Sequence, residues 1–139
     1  NMVGGQGQAQ GIGGTKSRLW YTDDVAKLFR ELNTETYATI TSHSVPSSNP
    51  YGIGGMTDKM YSNDTTTDSH YEHNLDTFAV LNSASSFYSF PCGIGGTADR
   101  LFSADNTLDD VAETNPNTLA NLGNVNAPDS QPLGIGGTK

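Results

Sequence analysis

The sequence predicts an all-β fold of β-propeller blades, four short antiparallel strands per 41-residue repeat, incomplete as a single chain. Three observations predict it. Gly-Ile-Gly-Gly recurs at Gly11, Gly52, Gly93 and Gly134, each start 41 residues after the last, without insertion or deletion. Every unit holds short aromatic and β-branched runs separated by turn-forming residues, which is strand and hairpin chemistry. No unit contains a stretch of about 10–12 residues with apolar positions at helical spacing, which disfavours a helical solenoid of the same period.

The chain divides accordingly. Residues 1–10 end a preceding repeat, 11–51, 52–92 and 93–133 are three blades, and 134–139 start a next repeat. Within a blade, Gly-Ile-Gly-Gly makes a strand nearly without side chains, as suits one crowded against others near an axis. In the first blade the next strands are expected over Arg18 to Thr22, Leu28 to Leu32 and Tyr37 to Thr41. Stacking the repeats shows what the unit requires. A basic residue (Arg18, Lys59, Arg100) precedes an apolar one (Leu19, Met60, Leu101) and an aromatic (Trp20, Tyr61, Phe102). Then come an Asp (Asp23, Asp64, Asp105), a Glu (Glu31, Glu72, Glu113), an Asn (Asn33, Asn74, Asn115) and a Thr (Thr36, Thr77, Thr118). An Ala (Ala38, Ala79, Ala120) follows, with apolar residues on either side, and each unit closes on Pro50, Pro91 or Pro132.

Charge narrows the partners. Seven Lys and Arg against fifteen Asp and Glu in 139 residues give a net charge of -8, the wrong sign for phosphate backbones or anionic lipid. Nucleic acid and membrane insertion are therefore not expected. No apolar run approaches the roughly 20 residues of a membrane span, and the first residues lack a signal peptide's basic and apolar regions. Hydrophobic residues make up 34%, below the usual share, so the units must share a core with neighbours. The one cysteine, Cys92, has no partner for an intrachain disulfide; it stands in a column with Tyr51 and Leu133 and reads as a small buried hydrophobe.

The candidate site residues each have a plainer reading beside the functional one. Asp23, Asp64 and Asp105, repeated about an axis, could receive sugar hydroxyls, but Asp also ends strands by binding turn N–H groups. Trp20, Tyr61 and Phe102 could stack on sugar faces or pack between blades. The Glu column recurs identically, which suits pairing with the basic column rather than catalysis, where two acids must differ. His70 and His73, three residues apart on a strand, point to opposite faces, so no metal site is read there. No recognised calcium loop, nucleophile elbow or phosphate loop is present, and no cofactor is expected. Asn63-Asp64-Thr65 fits the N-glycosylation pattern.

The runs Pro50-Tyr51-Gly52-Ile53-Gly54-Gly55, Asp58-Lys59-Met60-Tyr61-Ser62-Asn63-Asp64 and Tyr71-Glu72-His73-Asn74-Leu75-Asp76-Thr77-Phe78-Ala79-Val80 resemble a blade of the NHL and YVTN class of β-propellers. Those families show a Pro-x-Gly-Ile opening, an Arg-Leu-Tyr-Val-x-Asp second strand and an Asp-x-x-Thr turn. The resemblance spans residues 11–133 and implies the architecture; Gly-Gly replaces the usual Ala-Val of the innermost strand, and no catalytic residue is carried over. Three blades do not close a ring, so the chain is expected to be a window of a longer repeat protein, to close with a second copy, or to stack into an open filament. In such a fold the Asp column and the segments 43–49, 85–90 and 126–131 line one rim. Function is read as a non-enzymatic scaffold that associates with itself or with adjacent blades. A carbohydrate-binding propeller and part of a larger catalytic propeller, lyase or hydrolase, are the alternatives. Loops rich in Ser, Thr and Asn with little Lys suit an extracellular or cell-surface location.

Overall fold

A computed structural model describes residues 8–56, 58–128 and 130–135; most of the predicted leading fragment and the end of the trailing one lie outside these residues. The described chain folds into twelve strands in three four-stranded antiparallel sheets, and no helix. The first sheet is β1 (Ala9–Gly14), β2 (Leu19–Asp23), β3 (Leu28–Leu32) and β4 (Thr39–Ser44). The second is β5 (Pro50–Gly55), β6 (Met60–Asp64), β7 (Ser69–His73) and β8 (Val80–Ser85). The third is β9 (Pro91–Gly96), β10 (Leu101–Asp105), β11 (Asp110–Thr114) and β12 (Asn121–Asn126). Each sheet pairs its strands in chain order, a meander that needs only tight hairpins. These are the blades of a propeller.

The Gly-Ile-Gly-Gly strands lie innermost and stack on one another. A Cβ on Gly52 would fall 2.6 Å from the Cys92 carbonyl oxygen, and one on Gly13 or Gly54 would come closer still to Ile53 or Ile94. Backbone against backbone is what excludes a side chain there. The array continues past β9: a Cβ on Gly93 would come within 3.0 Å of Cα of Gly134, so Gly134 and Ile135 sit where a fourth blade's innermost strand belongs. Among the described residues the arc is open at both ends.

Two strands of the first blade are shifted from the sequence reading: β2 runs Leu19–Asp23 rather than Arg18 to Thr22, and β4 runs Thr39–Ser44 rather than Tyr37 to Thr41. The fourth strand of the first blade begins at Thr39, not Tyr37, because Asn33 builds a turn whose αL residue is Tyr37 (φ 57°). Asn33 Oδ1 accepts the N–H groups of Glu35 and Thr36, and Tyr37 N–H returns to the Asn33 carbonyl at 2.9 Å. Asn74 and Asn115 build the same turn, with Phe78 and Leu119 at φ 59° and 60°. Bulky residues rarely adopt this conformation; the Asn hydrogen bonds hold it in all three blades, and burial of the side chain adds to them at Phe78 and Leu119.

The core lies between blades. Trp20, Phe29, Ile53, Met60 and Phe78 form one cluster across the first seam; Met56, Tyr61, Ile94, Leu101 and Leu119 form the other. Strand alternation gives each blade a trailing face (Trp20, Phe29, Glu31) and a leading face (Met60, Ser62, His73, Phe78), and trailing meets leading at each seam.

Candidate functional site

The predicted rim exists. The β4–β5 linker lies against the β6–β7 hairpin, with Thr65 N–H bonded to the Asn49 carbonyl, and Asn106 N–H likewise reaches the Phe90 carbonyl one blade on. Asp129, within the third predicted segment, lies outside the described residues.

The Asp column organises this rim from beneath. Asp64 is fully buried: Oδ1 accepts the N–H groups of Thr66 and Thr67 at 2.8 Å, and Oδ2 accepts Asn49 N–H at 2.7 Å and the Ser47 hydroxyl. Asp105 repeats the pattern with Thr107, Leu108 and Phe90. Asp23 takes Ala26 N–H and the Arg30 guanidinium. Each carboxylate therefore ties a hairpin to its surroundings and leaves no face open to a ligand in the folded chain. Burial alone would raise the Asp64 pKa, but the Ser47 hydroxyl and the N–H groups of Thr67, Asn49 and Thr66 hold it below the usual carboxylate value. Asp64→Ala takes the shared acceptor from three part-buried N–H donors and is expected to cost about 2 kcal/mol in urea unfolding, with Asp64→Asn costing less because Oδ1 keeps its role.

The aromatic column sits in the seams. Trp20 and Tyr61 are fully buried, Trp20 edge-on to Phe78 at 6.5 Å and Tyr61 donating its hydroxyl to the Pro116 carbonyl at 2.9 Å. Phe102, on the last blade, is half-buried under the Arg100 guanidinium, 5.1 Å from the ring centroid. The basic and Glu columns pair within each blade: Arg18 with Glu31 (2.7 Å), Lys59 with Glu72 (3.0 Å) and Arg100 with Glu113 (2.5 Å).

The residues that break the repeat's symmetry also lie in the seams. His73 donates from Nδ1 to the Phe78 carbonyl and accepts from Ser62 at Nε2. His70 faces the other way and donates from Nδ1 to Asn63 Oδ1 at 2.8 Å. His43 stacks on Phe78 at 4.1 Å. Asn63 is buried with Nδ2 donating to the Gly93 carbonyl, so the folded seam has no room for a glycan on that nitrogen. Burial pushes the Cys92 thiol up to about 11, which keeps it protonated near neutral pH. Between the second and third blades a cavity of about 10 Å³, lined by His70, Tyr88, Ser103 and Thr114 among others, has room for about one water. No group of three potential metal ligands occurs among the described residues.

Two features escaped the sequence reading. Tyr37, Phe78 and Leu119 are turn residues rather than strand residues, and Phe78 and Leu119 are seam contacts; the Asn and Thr three apart before each was the available signal. Phe87, 68% exposed in the second rim segment, is an open aromatic with no repeat to mark it.

No family model matches this chain, and no curated protein matches it in sequence. Solved structures do resemble it. Glutaminyl cyclase from Myxococcus xanthus superposes with a TM-score of 0.75 at 15% identity, over 88% of this chain and 54% of that one. Streptogramin B lyase gives 0.70 at 13%, over 94% and 45%, and hydrazine synthase from Kuenenia stuttgartiensis 0.74 at 11%, over 96% and 40%. This chain thus spans about half or less of the length of each. Glutaminyl cyclase and the lyase are propeller-type proteins, which agrees with the three blades and extends to the fold alone.

Proposed function

We propose that this chain is a non-enzymatic, extracellular repeat scaffold of NHL- and YVTN-like blades, which associates with copies of itself or with adjoining blades of a longer chain and offers its rim for binding. The observation that carries this reading is the contrast between equivalent residues inside and at the ends of the arc. Ile53 and Ile94 are 2% exposed, whereas Ile12 in the same column is 67% exposed. Phe78 and Leu119 are buried, whereas Tyr37, held in the same αL turn, is 68% exposed. The end blades keep seam chemistry without a seam, and covering such apolar surface stabilises an assembly by about 25 cal/mol per Å².

A scaffold role is favoured over chemistry because the repeated acids are spent on hairpins and ion pairs in every blade. The lectin reading draws little support from Trp20 and Tyr61, which are enclosed; Phe102 is the aromatic of the column left open. Sedimentation velocity over a wide concentration range tests the proposal. Sedimenting mass should climb to multiples of the chain mass as concentration rises, and a chain that stays monomeric throughout would refute self-association. Binding to a glycan array that is lost in Phe102→Ala would favour the lectin instead.

A further inference from the structure

We propose that the blade which completes the third one is the first blade of a second copy of this chain, docked head to tail with Arg100 of one copy on Glu35 of the other. This rests on the self-association reading and specifies its interface. Three independent features of the two open faces fit each other, and a sequence identity fits them both.

The first feature is charge. At the first seam Arg18 pairs with Glu31 in its own blade and also reaches across to Asp76 of the next at 2.9 Å. At the second seam Lys59 does the same with Glu72 and Asn117. Arg100 has its own-blade partner, Glu113, and a side chain 54% exposed on a face with no following blade. The residue that stands in the column of Asp76 and Asn117 in the first blade is Glu35, exposed on that blade's leading face. Opposite charges therefore await each other at the two ends.

Volume is the second. At the second seam the large His70 is answered by the small Ser103 across the cavity they share, and the same two columns hold the large Phe29 and the small Ser62 at the first seam. On the third blade's trailing face that position holds the smaller Val111, and on the first blade's leading face its counterpart is the large Tyr21. The bulk has changed sides, which keeps the sum nearly constant, as close packing requires.

The third feature is the apolar rim of the contact. His43 stacks on Phe78, and Ala84, in the same column, packs on the Leu119 cluster. Val125 continues that column on the third blade and is 67% exposed, matching the open Tyr37.

The sequence identity concerns the slot at the centre. Gly134-Ile135-Gly136-Gly137-Thr138-Lys139 repeats Gly11-Ile12-Gly13-Gly14-Thr15-Lys16 residue for residue, whereas the second blade reads Gly-Ile-Gly-Gly-Met-Thr and the third Gly-Ile-Gly-Gly-Thr-Ala. Gly134 and Ile135, which lie beside β9, thus open a run whose sequence is that of the first blade's own innermost strand. In the docked pair the incoming β1, already bonded to β2, takes the slot, and Gly134 and Ile135, which pair with no strand, yield it.

Charge reversal tests this. Glu35→Arg and Arg100→Glu should each weaken self-association by about tenfold or more in sedimentation equilibrium, because each opposes like charges at the seam. Mixing the two variants should restore association, since each then meets an opposite charge at both contacts. Ile135→Asp, which loosens the segment in the slot, should tighten association. Should the unmodified chain associate while the two reversals, alone and mixed, leave it unchanged, this interface is wrong and the scaffold reading survives. A chain that never associates removes both this interface and self-association.

Discussion

Gly54→Ala will destabilise the chain by about 3 kcal/mol or more and lower its melting temperature by about 10 °C or more. The new Cβ has nowhere to go: it meets the Ile94 carbonyl oxygen and comes 2.8 Å from the Gly95 Cα, both backbone atoms of the neighbouring blade's innermost strand. A flexible side chain could swing aside, but a strand bonded into its own sheet moves only if the blades part, which opens the cluster of Tyr61, Ile94, Leu101 and Leu119. Gly123→Ala is the control. Gly123 lies in outer strand β12 with nothing within 4 Å of where the added methyl would sit, so its substitution should change stability by less than about 0.5 kcal/mol. Thermal melts of the two variants beside the parent chain decide the matter; equal melting temperatures would mean that the inner strands are not in backbone contact.

Acid will weaken the fold well above the carboxylate range. Burial lowers the pKa of His70 to about 4, and burial, partly offset by the Phe78 carbonyl, lowers that of His73 to about 4, against an ordinary 6.5. Both imidazoles are neutral in the fold, and the unfolded chain protonates first as pH falls. Stability contributed by keeping them neutral is therefore fully present above about pH 6.5 and drains away down to about pH 4. The slope approaches about 1.4 kcal/mol per pH unit for each histidine within that window. Denaturant midpoints measured from pH 7 to 4 should trace this decline. His73→Leu, which installs the residue found at the equivalent position of the first blade, Leu32, should roughly halve the slope even though Ser62 loses its partner. A flat profile over that range would show that the second blade's histidines are hydrated. Below it the loss continues for a different reason, as Asp64 gives up the charge its hydrogen bonds hold in place.

Much of this architecture was legible because the repeat lets one chain be compared with itself. The 41-residue spacing located the blades, and the bare Gly-Ile-Gly-Gly strand told of crowding, since only backbone contact explains why Gly13 and Gly54 lack side chains. The pairing of Arg18 with Glu31 followed from two columns that never vary in sign. What stayed hidden depended on geometry that composition does not encode. Tyr37 reads as a strand residue by propensity, yet the Asn33 side chain captures two N–H groups and turns the chain into αL first. The candidate ligand residues suffered the same ambiguity. An Asp at a strand end and an aromatic within a strand look alike whether they face solvent or a neighbour, and here Asp64, Trp20 and Tyr61 face neighbours. Which face of each sheet is covered is a property of the stack, and it emerges only when blades are placed side by side.

Each blade completes its neighbour's core, and on the proposed reading the end blades accept a further one. Hydrogen–deuterium exchange, followed strand by strand at low and high protein concentration, tests this most directly. In dilute solution β6 and β7 of the middle blade should exchange slowest, and β2, β3, β10 and β11 faster. At high concentration the outer blades should gain protection toward that of the middle one, first at Leu19–Asp23 and Asp110–Thr114, which border the open faces. Protection that is uniform across the three blades and indifferent to concentration would contradict the account, because each blade would then be a complete core without its neighbours.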